Sequence, residues 1–187
     1  MEMHNLISSH EEMKRISEDL LIRYHKKARG WAPDRIADLT ENAALDWMLS
    51  LTKTLDIWHE KASAPMTDGE VILAYANIGI LLESWLTLFL TVHLEDFEKD
   101  KKDKLPCSMS LKELIDFMKE HVWQDEKHQD CISWMESIRE KRNAVHAFRY
   151  RDIGTNKTLK IDLEKYDQFI VDEMAAPLYK DENCDDY

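Results

Sequence analysis

The sequence predicts an all-α fold, and three observations favour it. The 187 residues include only four Gly and four Pro, whereas an all-β chain needs many tight turns. Apolar residues recur at helical spacing, and several of these segments begin with Ser or Thr followed three positions later by Glu. A charged fraction of 33% is typical of a helical bundle with solvated outer faces. The length fits one domain, 1–187, with a sizeable core.

Two helical stretches are predicted before residue 62. The capping box Ser9-x-x-Glu12 predicts the start of a first helix, which covers 9–29 and ends at Gly30. The second stretch covers about 33–61, with Pro33 in its first turn and a break near Thr40, whose hydroxyl is suited to cap a new helix. We therefore expect an N-terminal helix that packs onto the rest of the bundle.

A long apolar helix follows and is predicted to be the central buried helix. A Thr-x-x-Glu capping box at 67–70 begins it, and it extends to about Phe97. Its most apolar part, 71–94, is long enough to cross a membrane but contains polar residues, among them Glu83. The N-terminal residues do not resemble a signal peptide. We therefore expect a cytoplasmic protein with no membrane partner.

Three further helices and an acidic tail are predicted in the second half of the chain. A Ser-x-x-Glu capping box at 110–113 precedes the first of them, and Pro177 is expected to stop the last. The predicted helices cover about 111–121, 126–149 and 161–176. The acidic tail, 181–187, is expected to be frayed.

No metal or cofactor is predicted. The three cysteines, at 107, 131 and 184, are widely spaced and odd in number, which indicates neither a disulfide framework nor a zinc pattern and favours a reducing compartment. His121 and His128 have acidic neighbours, but their spacing matches no established set of metal ligands.

One segment of the predicted fifth helix combines the residue types that act on phosphodiesters. At 100° per residue, Arg139, Arg142, Asn143 and His146 share a stripe about 100° wide. An imidazole can move protons near neutral pH, and guanidinium groups bind phosphate. The run 139–151 holds five Lys or Arg residues and a single Glu within a chain of net charge −12. This basic patch could bind RNA with a steep dependence on salt.

The same segment resembles the signature of HEPN domains. Arg139 and His146 fit the family pattern Arg-x(4–6)-His, and the run Arg-Asn-Ala-Val-His-Ala-Phe followed by Arg-Asp-Ile-Gly is similar to bacterial HEPN-like proteins of defence systems. The resemblance covers about 35–176, and its specific part is 139–154. Whether Arg139 or Arg142 is the signature arginine stays open, and we favour Arg139 with Arg142 assisting.

This resemblance implies an antiparallel bundle of about five to six helices and metal-independent cleavage of RNA in toxin or antiphage defence. HEPN ribonucleases commonly dimerise so that two motifs form one composite cleft. In such a site His146 would move protons, and Arg139 with Arg142 would stabilise charge in the transition state. Asn143 would orient the histidine or the phosphate.

Further residues are expected to support this site. Arg149, Arg151 and Lys141 are expected to contact RNA. Glu83, placed with them near the substrate, is expected either to pair with Arg139 or Arg142 across a helix interface or to face solvent on the rim of its helix. The predicted partners are RNA, a second copy of the chain, and an antitoxin or sensor protein.

Two alternatives to the nuclease stay open. In the first, the chain is a non-catalytic helical module that uses the same stripe to bind RNA, a nucleotide or a partner protein. In the second, the net charge of −12 makes it an acidic inhibitor of a nucleic-acid enzyme.

Overall fold

The computed structural model describes residues 2–97, 104–146 and 148–179, with only the backbone described for 2–8. In this part of the chain all regular elements are helical and no β-strand occurs, which confirms the predicted all-α class. The acidic tail, 181–187, lies outside the described residues.

The N-terminal helix is longer than predicted. Helix α1 covers Glu2–Ile22 and continues through a π-helical turn, Arg23–Lys27, and a 3₁₀ turn that ends at Gly30. The predicted end is therefore confirmed, whereas the predicted start at Ser9 is wrong because Ser9 lies inside the helix. A capping box is a local pattern, and the preceding residues are already helical here.

The predicted stretch 33–61 is three short helices. Pro33 precedes the first helix rather than lying in its first turn, and the chain breaks after Glu41, close to the predicted position. Thr40 does not cap a new helix, because its hydroxyl donates to the carbonyl oxygens of Ile36 and Ala37, at 3.0 and 3.2 Å. The three helices are α2 Asp34–Glu41, α3 Leu45–Lys53 and α4 Leu55–Lys61.

Helix α5, Asp68–Val92, is the central helix of the bundle, as predicted. Its capping box is formed, since the Glu70 amide donates to Thr67 Oγ1 at 3.3 Å and the Glu70 carboxylate accepts from the Thr67 amide at 2.9 Å. Among the described residues α5 is the one helix long and apolar enough to cross a membrane, but 61% of its most apolar window is buried inside the protein. Burial of this kind is typical of a core helix. The short helix α6, Leu94–Phe97, follows a turn at His93.

The described residues of the second half include four α-helices, and three of the predicted boundaries are wrong. The last predicted helix begins at Asn156 rather than near residue 161. Helix α8 ends at Arg142 rather than near residue 149. Pro177 does not stop a helix, because the π-helical segment Phe169–Met174 continues without a gap into α10, Ala175–Tyr179, and Pro177 lies within this continuous helical run. The helices are α7 Leu111–Phe117 with a π-helical turn Met118–Val122, α8 Gln129–Arg142, α9 Asn156–Gln168 with a π-helical segment Phe169–Met174, and α10 Ala175–Tyr179.

The core forms where α5 packs against α8, α7 and α9, and where α1 packs against α3 and α9. Large side chains such as Trp85 and Tyr166 are fully buried there, and the Trp85 indole nitrogen donates to the Tyr166 hydroxyl at 3.0 Å. Burial raises the pKa of Tyr166, so this hydroxyl stays neutral. Because α5 and α8 pack directly together, the end of α8 lies against the middle of α5.

Candidate functional site

The histidine of the predicted motif lies beyond the end of α8. The helix ends at Arg142, a 3₁₀ turn covers Asn143–Val145, and His146 has non-helical backbone angles, φ −87° and ψ 86°. The prediction that His146 shares a helical stripe with the arginines is therefore wrong. After the helix ends, Ile153 packs against the core and α9 begins at Asn156.

Arg139 is held by two carboxylates of its own helix. Its Nε donates to Glu136 Oε2 at 3.0 Å, and its Nη2 lies 2.9 Å from the same atom and 2.8 Å from Glu140 Oε1. The side chain is half-buried. A phosphate could bind this guanidinium only in competition with the two glutamates.

The aliphatic part of the Arg142 side chain packs against α5 at Gly79. A Cβ atom at Gly79 would lie 2.6 Å from Cδ of Arg142, so only glycine lets the aliphatic part of this arginine approach α5 so closely. The Nη1 atom of Arg142 lies 2.7 Å from Glu83 Oε2, which confirms the expected pairing of Glu83 with one of the two arginines. Glu83 also lines a cavity of about 420 Å³ between α2, α3, α5 and the segment 105–109.

Lys141 points into the bundle. Its ammonium donates to Asp162 Oδ2 at 2.6 Å, and the Tyr75 hydroxyl donates to the same oxygen at 2.8 Å. Burial and the Asp162 charge raise the pKa of Tyr75, which keeps this phenol protonated as a donor. We therefore assign Lys141 to the core of the protein and not to a substrate surface.

The exposed side chains of the motif lie in the loop that follows α8. His146 and Arg149 are exposed and have no side-chain partner among the described residues. Arg151 is half-buried and pairs with Glu140. Phe148 and Tyr150, on either side of Arg149, are fully exposed. We name residues 146–151, apart from residue 147, which the structure does not describe, the basic loop.

Phe148 and Tyr150 are candidate binding residues that the sequence reasoning missed. The alternating run Phe-Arg-Tyr-Arg is the signal that could have identified them, because exposed aromatic rings stack on unpaired bases while arginines contact the backbone. The basic loop can therefore contact a single strand with its rings and its free guanidinium. His146 can transfer protons at the same place.

His128, considered as a metal ligand from the sequence, has a structural role. Its two ring nitrogens contact Asp125 and Glu173, and its ring stacks on Trp123 with centroids 5.3 Å apart. Cys107 and Cys131 are free thiols, and Cys184 lies outside the described residues.

A second polar cluster was missed by the sequence reasoning because its members are far apart along the chain. His10 on α1, His59 on α4 and Asp167 on α9 each bring one potential ligand atom to within 4.8 Å of the others. The spacing of histidines and aspartates along the sequence contains no signal for this cluster, since only the packing of three helices creates it.

The chain was compared with known proteins by family, by sequence and by structure. No family model, no curated protein and no solved structure matches it.

Proposed function

We propose that the chain is a HEPN-type, metal-independent endoribonuclease whose RNA-contacting surface is the basic loop and the adjoining end of α8. The observation that carries the proposal is the exposed His146 beside Arg149, with the two uncovered rings of Phe148 and Tyr150 next to them. These groups suit a single-stranded RNA, whose phosphates bind guanidinium groups and whose bases stack on aromatic rings.

In the proposed reaction His146 acts on the ribose 2′-hydroxyl. The imidazole takes the hydroxyl proton, the 2′-oxygen attacks the adjacent phosphorus, and the bond from phosphorus to the 5′-oxygen breaks. The products are a 2′,3′-cyclic phosphate and a 5′-hydroxyl, with the proton delivered to the leaving oxygen. The proposed step uses no metal ion, because guanidinium groups stabilise the negative charge on the phosphoryl oxygens in the transition state.

A second copy of the chain completes the proposed site. One basic loop offers one imidazole and one guanidinium without a carboxylate partner, whereas general acid and base catalysis together need two proton-transferring groups. Leu73 and Ile80 are exposed two helical turns apart on one face of α5, and Val145 is exposed beside the basic loop. We propose that these apolar side chains contribute to a homodimer interface.

The proposed setting is the cytoplasm, in a toxin or antiphage defence system with an antitoxin or sensor protein as partner. Arg139 and Arg142 would assist once the RNA phosphate displaces a glutamate from each. Asn143, half-buried in the turn before His146, would hold the histidine or the phosphate in position.

The decisive experiment incubates the purified protein with total RNA in EDTA and identifies the ends of the fragments. We expect cleavage that leaves 2′,3′-cyclic phosphates. The His146→Ala variant should not cleave. His93→Ala is the matched control, because it removes a histidine at the α5–α6 turn, outside the basic loop, and should retain cleavage. Equal cleavage by wild type and His146→Ala would refute the nuclease.

A non-catalytic binding module is the second candidate, and the ion pairs of both arginines favour it. Arg139 and Arg142 already lie 2.7–2.9 Å from carboxylate oxygens, so the α8 end is closer to neutral than its sequence indicates. Binding of RNA without cleavage would support this candidate. Recovery of a basic nucleic-acid enzyme in a pull-down, without RNA binding, would instead support the acidic inhibitor.

A further inference from the structure

Three helices bring two imidazoles and one carboxylate together away from the basic loop. His10 Nδ1 lies 3.1 and 3.2 Å from the two carboxylate oxygens of Asp167. His59 Nε2 lies 3.2 Å from Asp167 Oδ2, and the two imidazole rings have centroids 3.9 Å apart. Asp167 is only 2% exposed, so its charge must be balanced by groups inside the protein.

These separations match the distances between ligand atoms in a zinc site. With bonds of about 2.0–2.1 Å in tetrahedral geometry, neighbouring donor atoms lie about 3.3 Å apart. The measured distances from the Asp167 oxygens to both ring nitrogens are 3.1–3.2 Å. The three donor atoms all lie within 4.8 Å of one another, so one ion can bind them together once the two ring nitrogens reach the spacing of a zinc site.

The contact that Nε2 of His10 makes determines that Nδ1 is the ring nitrogen available to bind a metal ion. His10 Nε2 lies 2.9 Å from Asp56 Oδ1, and the same oxygen accepts a hydrogen bond from Lys14 at 3.0 Å. Asp56 is thus an acceptor, and His10 donates its Nε2 proton to it. In the neutral ring Nδ1 then carries a lone pair that faces Asp167. Metal-binding histidines commonly have a carboxylate partner of this kind.

A lone pair that faces a carboxylate needs a positive charge between them, either a proton or a metal ion. A proton on His10 would place a positive charge between that ring and Asp167. It would give the His59 ring no partner. His59 Nε2 is buried and, although close to Asp167, makes no hydrogen bond within the described residues. One cation bound by all three side chains would balance the Asp167 charge and give the His59 nitrogen a partner.

We propose that His10, His59 and Asp167 bind one divalent transition-metal ion, of which Zn²⁺ is the probe. The site joins α1, α4 and α9, so the bound ion would stabilise the packing of these helices. A cavity of about 410 Å³ is lined in part by Lys14 and by Asp56, the residue whose carboxylate contacts His10 Nε2. The site does not share a residue with the proposed nuclease, and the cleavage reaction does not use it.

The test uses untagged full-length protein from which metal has been stripped with a chelator that is then removed. Isothermal titration calorimetry should give one Zn²⁺ per chain. At a free Zn²⁺ concentration about 100 times the dissociation constant, the melting temperature should rise by roughly 5–10 °C. Co²⁺ should add visible d–d absorption bands with the intensity of a site of low coordination number.

The variants separate this site from other histidines of the surface. His59→Gln should lower Zn²⁺ affinity at least 10-fold and remove the Co²⁺ bands. His128→Gln is the matched control, because His128 also contacts two carboxylates, Asp125 and Glu173, but should leave Zn²⁺ binding unchanged. His10→Gln gives a second, independent loss of affinity.

Circular dichroism in the chelator should show that each variant folds. If His59→Gln unfolds, His10→Gln alone decides. The proposal is overturned if both variants bind Zn²⁺ with the stoichiometry of the wild type, or if Zn²⁺ does not raise the melting temperature. A protonated His10 would then be the partner of Asp167. RNA cleavage measured in EDTA, below the melting temperature of the metal-free protein, tests the nuclease separately.

Discussion

The buried pair of Lys141 and Asp162 offers a sharp test of how the motif is divided between folding and function. Lys141→Met keeps most of the volume of the side chain but removes the charge that faces the Asp162 carboxylate at 2.6 Å. The Tyr75 hydroxyl still donates to Asp162 at 2.8 Å, so the carboxylate keeps one hydrogen bond but loses its ion pair. We expect a large loss of stability.

The expected magnitude follows from the burial of the two side chains. Removal of one partner from a buried ion pair destabilises a protein by about 3–5 kcal/mol, because the other charge remains buried. The Lys141 and Asp162 side chains are 16% and 9% exposed, so partial hydration of Lys141 favours the lower end, about 3 kcal/mol. At about 2–4 °C per kcal/mol for a chain of this size, the melting temperature should fall by roughly 6–12 °C.

Thermal and urea unfolding, followed by circular dichroism, measure this change. Arg29→Met is the matched control, because Arg29 pairs with Asp38 and Glu41 in the solvent and is 58% exposed. This control should lose about 0–1 kcal/mol. The double variant Lys141→Met, Asp162→Asn should be more stable than Lys141→Met alone. If the melting temperature of Lys141→Met falls by less than 2 °C, or if Lys141→Met and Arg29→Met lose equal unfolding free energy, the buried-pair assignment is refuted.

Three further predictions concern packing, thiol reactivity and pH. Gly79→Ala places a Cβ atom 2.6 Å from the arginine side chain that crosses it, and should destabilise the protein by about 1–3 kcal/mol in urea unfolding. An unchanged midpoint would contradict this close contact. Burial raises the pKa of Cys131 to about 12, so little of this thiol is the reactive thiolate. Mass spectrometry should therefore detect alkylation of the exposed Cys107 before that of Cys131. The hydrogen bond from Lys104 lowers the pKa of Glu113 to about 2, so this carboxylate stabilises the fold above its unfolded pKa near 4.5 and loses that contribution as pH falls through about 2. An NMR titration midpoint for Glu113 near 4.5 would contradict that assignment.

The two functional proposals depend on different parts of the fold. The nuclease depends on the exposed basic loop and, in its composite form, on a second copy of the chain. The metal site depends on the packing of α1, α4 and α9 within one copy. The chain can therefore contain one site without the other, and each has its own histidine variants.

Helix starts that depend on neighbouring residues could be predicted from the sequence. Both Thr67 and Ser110 begin helices through capping boxes, as predicted, because a cap involves only residues three positions apart. The central position of α5 also followed from its composition, since an apolar run of this length has to be buried. For Glu83 the sequence indicated only two possible partners, Arg139 and Arg142, or a solvent-facing position, and the structure shows that it pairs with Arg142.

The positions of the polar groups relative to one another depend on how the helices pack, which local sequence does not specify. Helical spacing placed His146 beside the arginines, but the chain leaves the helix after Arg142 and His146 follows a 3₁₀ turn. Lys141, on the face of α8 that meets α5 and α9, became a core residue. The cluster of His10, His59 and Asp167 joins three helices that are distant along the chain, and hydrophobic packing rather than any local pattern brings them together.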